Sequence, residues 1–327
     1  MPISTSYSPN APAARTGQGS AISNREDLSN ELTLLAPEET PLLSLCGKGS
    51  AKSTFSEWTA DKLAAPATAG ISEGTDVNSF SDKFADRARL GNYVQIFRRD
   101  FLVSNLQQAV NSVGPANIAQ AEAKSMRELK RDVEARICSS SDRTVEDGAG
   151  TPYALRGLGS WLSSTGPADV PAAYRTPADS ILSSAPTETT FNDVIASIFS
   201  VNGEANSLTL VANVALRKVI SNFTRSSGAA ASEAVYNVQQ NADSKKVTHS
   251  VQLYDSDFGI VKMINGNPDC MTGASGYLVN PSYLQFNTLI PMGATRLENQ
   301  GGGERGFVDM TGTLVCKHPG AHGKITL

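Results

Sequence analysis

The sequence predicts an α+β fold in which a long extended excursion, a rod-like amphipathic helix and a sheet-centred second half follow one another. Three observations carry this. Stretches 52–59 and 93–103 read as strands and flank roughly thirty residues without helical period, too long a loop for a compact domain to carry idly. Residues 115–138 repeat apolar side chains at spacings of three, four and eight, the mark of one helical stripe. From residue 190 onward, helical and strand-like patterns alternate. Composition agrees with a folded chain: 327 residues, 40% hydrophobic and 18% charged, with 27 Gly and 16 Pro. Length alone suggests about two domains at roughly 150 residues each. Net charge is −4, from 28 Lys+Arg against 32 Asp+Glu, so no basic footprint for gripping nucleic acid is visible. No run of about 18 apolar residues exists to span a membrane, and the first twenty residues lack the apolar segment of a secretory signal.

Residues 1–22 hold Ser, Thr, Ala, Pro and Gly with almost no large apolar group, so they read as an arm ordered by a partner. A short helix follows in SNREDLSNELTLLAP, with Ser23 or Asn24 as cap and Pro37 as stop. Thr40 as N-cap, Pro41 at the first helical position and Gly47 beyond the end delimit a second short helix. In strand 52–59, Ser53, Phe55 and Glu57 alternate with Thr54, Ser56 and Trp58; strand 93–103 is YVQIFRRDFLV. Two strands around such a segment imply a two-stranded arm reaching away from the body. The segment between them carries many charges, including Glu73 and Asp76, and few large apolar groups, so its order must come from a partner surface.

Along 115–138 the stripe is Ile118, Met126, Leu129, Val133 and Ile137. Lys124, Glu128, Lys130, Asp132, Glu134 and Arg136 occupy the other faces, with i,i+4 pairs expected between Lys130 and Glu134 and between Asp132 and Arg136. At 1.5 Å per residue the rod is about 33 Å long. Residues 139–188, with repeated Pro and Gly, read as loop. Thr190 with Asp193 resembles a capping box opening FNDVIASIFSVNG, which Gly203 closes. A strand at 208–212, a helix at 213–223, and strand candidates in EAVYNVQQ, KVTHSVQLYD and FGIVKMIN complete this block. The tail adds a strand in GYLVN, a turn at Pro281, a loop at Gly301–Gly303 and a last strand in GTLVC.

Chemical motifs are weak. GKGSAKS (47–53) lacks the glycine directly before the lysine that a phosphate loop requires, and a helix precedes rather than follows it. Asp257–Phe258–Gly259 spells a kinase triplet without its companions and reads as a turn between two strands. Cys316, His318 and His322 have ligand-like spacing, but Pro319 and Gly320 make the segment a solvated tail. The four cysteines are far apart, allow three pairings, and read as reduced thiols. No nucleophile elbow accompanies a histidine, so no catalytic residue, metal site or cofactor is expected.

A resemblance runs through these elements. NREDLSNELTLLAPEETPLLSLCGKGSAKSTFSEWTADKLAAP resembles the opening of tailed-phage major capsid proteins, at Arg25, Asp27, Leu28, Thr40, Pro41, Glu57, Trp58, Asp61 and Leu63. EGTD (73–76), Asn92, Gln95, Ile96, Ser104, ELKRDVEARI (128–137), YDSDFGIV (254–261), YLVNPSYLQF (277–286) and TLVCKHPGAHGKI (313–325) continue it. NQGGGER stands where the family tends to have a Lys-Thr-Gly run, and the resemblance leaves 139–189 unplaced.

The resemblance implies the Hong Kong 97-type capsid fold. It implies an N-terminal arm and short helices at 1–49, an extended loop at 50–103, and a peripheral domain with spine helix at 104–189. An axial domain at 190–270 and return strands at 271–327 follow. The implied function is a shell, icosahedral or prolate, of self-assembling hexamers and pentamers enclosing double-stranded DNA without sequence-specific binding. Scaffolding, portal and decoration or cement proteins would be partners, in a virion assembled in the host cytoplasm. Candidate subunit contacts are Phe55 and Trp58 as packing anchors, Glu73 and Asp76 in the arm, and Arg98, Arg99, Glu128, Lys130 and Arg131 as charged contacts. A cargo-enclosing nanocompartment of the same fold is the alternative, and a hydrolase or transferase with a cryptic site is a third reading.

Overall fold

The computed structural model describes residues 39–110, 117–203, 207–224 and 252–327. The predicted arm 1–22, the helix after it, the strand in EAVYNVQQ and the start of KVTHSVQLYD lie outside the described residues. The first element among the described residues is helix α1 (Pro41–Leu45), followed by strands β1 (Gly47–Ser50), β2 (Phe55–Ala60), β3 (Ala88–Tyr93) and β4 (Gln95–Val103). Helices α2 (Asn105–Ala109), α3 (Ile118–Ile137) and α4 (Leu158–Trp161) precede the short strand β5 (Ile181–Leu182) and helix α5 (Glu188–Asn202). Next come β6 (Thr209–Ala212), α6 (Val214–Ser221), β7 (Leu253–Ser256), β8 (Gly259–Asn265) and β9 (Gly276–Val279). Strands β10 (Leu284–Leu297), β11 (Glu304–Cys316) and β12 (Gly323–Ile325) end the chain.

Among the described residues there are three sheets: a four-stranded one in the order β1-β10-β11-β4, a six-stranded one in the order β5-β12-β9-β6-β8-β7, and the pair β2-β3. In the four-stranded sheet, Phe97, Phe101, Val308, Met310 and Leu314 join Leu129, Val133 and Ile137 of α3 in one core. Strands β6 and β9 of the six-stranded sheet are buried on both faces, which suits their unbroken apolar runs. Alternate residues divide between two cores. Leu210, Ala212 and Leu278 meet Phe191, Ile195 and Ile198 of α5 and Leu216 and Ile220 of α6, while Val211, Tyr277 and Val279 face the α3 core.

Several expectations need correction. The strand expected at 93–103 is β4, but it is an edge of the four-stranded sheet and not half of the arm; the partner of β2 is β3, which lies in the stretch read as free of strands. The return segment 271–327 also divides, since β9 and β12 belong to the six-stranded sheet and β10 and β11 to the other. The cap of α5 lies one turn earlier than expected: Thr187 and Thr190 form a reciprocal box, and Gly203 closes the helix at φ +69°. Strands β1, β3, β5, β10 and β12 lie where no strand is expected from the sequence. Pro291 argues against a strand there, and β10 accommodates it where its register on β11 shifts, between Ile290 and Gly293.

The expected solvated tail is interior: Cys316, Pro319, Gly320, Ala321 and His322 are buried. Neither expected i,i+4 pair on α3 forms, because Glu134 is buried against α1, Asp132 binds Arg99, and Arg136 donates to the carbonyls of Leu155 and Asp142. The 139–188 segment has little regular structure yet supplies Leu155, Leu158, Trp161, Leu162 and Val170 to the α3 core. The Asp257–Phe258–Gly259 triplet does turn β7 into β8.

Candidate functional site

Between β2 and β3, residues 61–86 contain no helix or strand and stand in solvent. Leu63, Ile71 and Phe80 are 93%, 85% and 89% exposed, and Val77 and Phe84 are exposed as well. The expectation of few large apolar groups in the arm is therefore corrected: five of them lie unburied on this one excursion. Several exposed large apolar groups on one segment mark an interaction surface more often than one alone does.

The root of the arm, by contrast, is firmly held. Asp61 accepts from Arg87 Nε at 2.8 Å, closing the neck where the excursion leaves and returns. That hydrogen bond, helped by the Arg87 charge, holds the Asp61 carboxyl below its usual range despite partial desolvation. Arg87 also stacks 4.1 Å over the Phe84 ring. The Phe55 ring lies 4.6 Å from Tyr93 and the Trp58 ring 5.6 Å from Trp161. Gly91 permits this, since a Cβ there would come within 2.8 Å of the Phe55 ring.

Beneath the root sits an ionic network built around one buried arginine and drawn from the segment that the resemblance leaves unplaced. Arg156 is fully buried, stacks 4.6 Å from Trp161, and pairs with Asp142 and, at 2.7 Å, with Asp169. Arg143 pairs with Asp169 at 3.1 Å, covers Phe55, and donates to the Gly91 carbonyl. Burial raises the Asp169 carboxyl, but the hydrogen bond from Arg156 and the charges of Arg156 and Arg143 outweigh it and leave it low. Asn92, also buried, accepts from Arg156 N and donates to Leu314 O, both at 2.8 Å. Removing one partner of such a network would strand the other charge beneath the root of the arm.

On α3, Glu134 accepts from the backbone N–H groups of Leu42 and Leu43 at 2.8 and 2.7 Å. It thus caps α1, where the Thr40 side chain makes no cap. Burial pushes the Glu134 carboxyl up, and those two N–H donors pull it partly back. Arg99 and Asp132 form a bidentate pair at 2.6 and 2.7 Å, and Arg131 binds Asp269 at 2.6 Å. Among the expected contact residues, Arg99, Glu128 and Arg131 therefore converge on one cleft of about 310 Å³. Lys130 lines a separate pocket beside Pro41, Arg98 lies over Phe307 at 4.5 Å on the exposed side of β4, and Glu73 and Asp76 sit out on the arm. Sequence reasoning missed Arg143, Arg156 and Asp169; no spacing reveals a network assembled from loops.

The chemistry is that of packing and charge pairing. All four cysteines are buried and free, with burial raising Cys46 to about 12 and Cys270 to about 11. Among the described residues, no group of three or more His, Cys, Asp or Glu side chains could hold a metal, and no helix is long and apolar enough to cross a membrane.

A two-sheet α+β body with a solvent-borne arm and a spine helix is the Hong Kong 97-type capsid fold, and solved capsids show it. A cyanophage P-SCSP1u capsid chain matches with TM-score 0.60 at 11% identity, over 95% of both chains. The mature capsid of bacteriophage PhiM1 matches at 0.57 and 10%, over 100% of this chain and 99% of that one. A chain of Mycobacterium phage Cain matches at 0.58 and 12%, over 97% of each. The chain belongs to the SU10 major capsid protein family, whose sequence profile matches residues 14–327. It is a structural subunit of a capsid shell and not an enzyme. A comparison with curated proteins finds no match.

Proposed function

We propose that this capsid protein closes its shell by laying residues 61–87 across a neighbouring subunit, and that the shell encloses double-stranded DNA. The observation that carries this reading is the apolar surface of the arm, which the subunit's own core leaves in water. Run out and back, such a stretch reaches up to roughly 40 Å from its root, far enough to cross an adjacent molecule. Phe55 and Trp58 anchor the root; Glu73 and Asp76 meet cations of the neighbour, for which Arg98, Lys130 and the Arg99–Glu128–Arg131 cleft are the candidates. Repeated heterologous contacts of this kind close into rings, here of six and five copies, and the rings join into an icosahedral or prolate shell. The acidic net charge suits a wall that confines DNA without binding each phosphate. Scaffolding, portal and decoration or cement proteins complete the head in the host cytoplasm.

The test replaces residues 64–84 with a short Gly-Ser linker. The variant should melt as cooperatively as the parent subunit yet form no shells under the electron microscope. Shells of normal yield and diameter would show that the arm does not join subunits.

A further inference from the structure

The far end of the six-stranded sheet carries an arrangement that the arm does not use. In α6, Leu216 and Ile220 face the core, and the residues one step round the helix, Val214, Arg217, Lys218 and Ser221, line a cavity of about 650 Å³. Its opposite wall is Asn265, Gly266 and Pro268, directly beyond the end of β8. Arg217 is half-buried, and its Nη1 is shut off from solvent without a hydrogen-bond partner. The guanidinium pairs with no carboxylate among the described residues, and burial alone draws Arg217 below its usual value. A buried cationic donor left unmade costs more than the typical hydrogen bond contributes. A cavity holding one, beside a second cation at Lys218, is a receptor for an anion.

The matching anions stand at the other end of the same strand. Hairpin β7–β8 presents Asp255 and Asp257 in solvent, with no salt bridge to either among the described residues. Glu188 at the start of α5 adds its charge near the hairpin, since Glu188 and Asp257 both act on Tyr254. The exposed Phe258 ring lies 5.7 Å from Phe199 at the tip, giving it an apolar point directly after its acids. Strand β8 begins in the hairpin at Gly259 and ends at Asn265 in the cavity wall, so the two charge centres lie about 20 Å apart along it. They cannot meet within one subunit. Head-to-tail repetition brings them together.

We propose that the Arg217–Lys218 cavity is the socket of a heterologous subunit contact, filled by the Asp255–Asp257 hairpin of a second copy of this chain. Two carboxylates meet two cations, and Phe258 enters beside Val214, whose side chain is itself exposed. Opposite charge at the two ends disfavours the reverse orientation, because socket against socket and hairpin against hairpin juxtapose like charges. The contact thereby gives the ring its direction. This inference rests on the ring-building reading above but concerns different residues from the arm.

The experiment compares four full-length chains: the parent, Arg217→Asp with Lys218→Asp, Asp255→Arg with Asp257→Arg, and all four substitutions together. Each is scored for ring and shell yield by analytical ultracentrifugation and negative-stain microscopy, and for subunit folding by thermal melting in dissociating buffer. Either half-reversal should lower assembly by about tenfold or more, as like charges are forced together, with the melt unchanged. The fourfold swap should recover most of the yield. If the socket reversal impairs folding, Arg217→Gln serves in its place and should lower the salt concentration at which rings dissociate.

Half-reversals that assemble like the parent would overturn the socket while leaving the arm-driven shell intact. So would a fourfold swap that stays as poor as either half. Intact rings that have lost only their DNA would overturn it in favour of a phosphate site. A parent chain that forms no multimers at all would overturn both this contact and the shell-building reading.

Discussion

His322 carries a charge state set by position. Its side chain is fully buried, Nδ1 accepts from the Asn280 N–H at 3.0 Å, and Nε2 has no partner. Burial, with a smaller push from His318, lowers it from 6.5 to about 3. The folded chain therefore holds this imidazole neutral, whereas the unfolded chain protonates it below about 6.5. A group depressed on folding contributes stability that is full above the unfolded value and drains as pH falls toward the folded one. The slope is at most about 1.4 kcal/mol per pH unit. Glu134, raised by burial, has the opposite sign and gains as pH falls, so the two are separable only by substitution. Denaturant unfolding of the dissociated subunit at pH 7, 6 and 5 should show a loss that flattens in His322→Gln. Equal slopes in the two chains would mean that another group controls acid sensitivity. The sequence hides all of this: a Cys, two His, a Pro and a Gly near the end of a chain look like a wet turn, and only the packing of the segment in the fold buries all of them but His318.

Helix α3 is the element most readable in advance, because its stripe is long, regular and settled by local spacing. Leu129, Val133 and Ile137 are wholly buried as that spacing requires. Its charged residues were less readable, since an i,i+4 rule sees only the helix itself and misses Leu42, Arg99 and Asp269, which take Glu134, Asp132 and Arg131. Strands β10 and β11 pair with each other over most of their length, and Pro291 disguised the first of them.

The joint at the end of α3 depends on backbone approach that no pattern reports. Tyr277 donates to the Cys138 carbonyl at 2.6 Å, and Gly159 N donates to the Ser139 carbonyl at 3.1 Å. A Cβ on Gly157 would sit on the Ser139 carbonyl oxygen and 2.9 Å from that of Arg136. Backbone cannot swing aside as a side-chain tip can. Gly157→Ala should thus destabilise the subunit by about 1–3 kcal/mol, the range of overpacked sites. A midpoint in urea unchanged from the parent would show that α4 can slide away from the helix end.

At the scale of the whole molecule, two kinds of surface serve two equilibria. The α3 core stabilises the single subunit, and the Arg143–Asp169–Arg156 network lies beneath the root of the arm. The arm beyond Asp61 adds little to that stability, because Ile71 and Phe80 touch mostly water. An exposed apolar residue changed to a polar one shifts folding by no more than about 0.5 kcal/mol. The same side chain buried against a neighbour contributes about 1.5–3 kcal/mol, and that gain recurs at every copy around a shell. Ile71→Ser with Phe80→Ser should accordingly leave the melting of the dissociated subunit where it is. Assembled particles should dissociate at lower temperature and lower denaturant concentration than the parent's. Substituting Ser for Leu129, which the subunit itself buries, should do the reverse and unfold the subunit before any particle forms. If the arm variant melts early as an isolated subunit, or its particles match the parent in stability, these apolar groups are not what joins one subunit to the next.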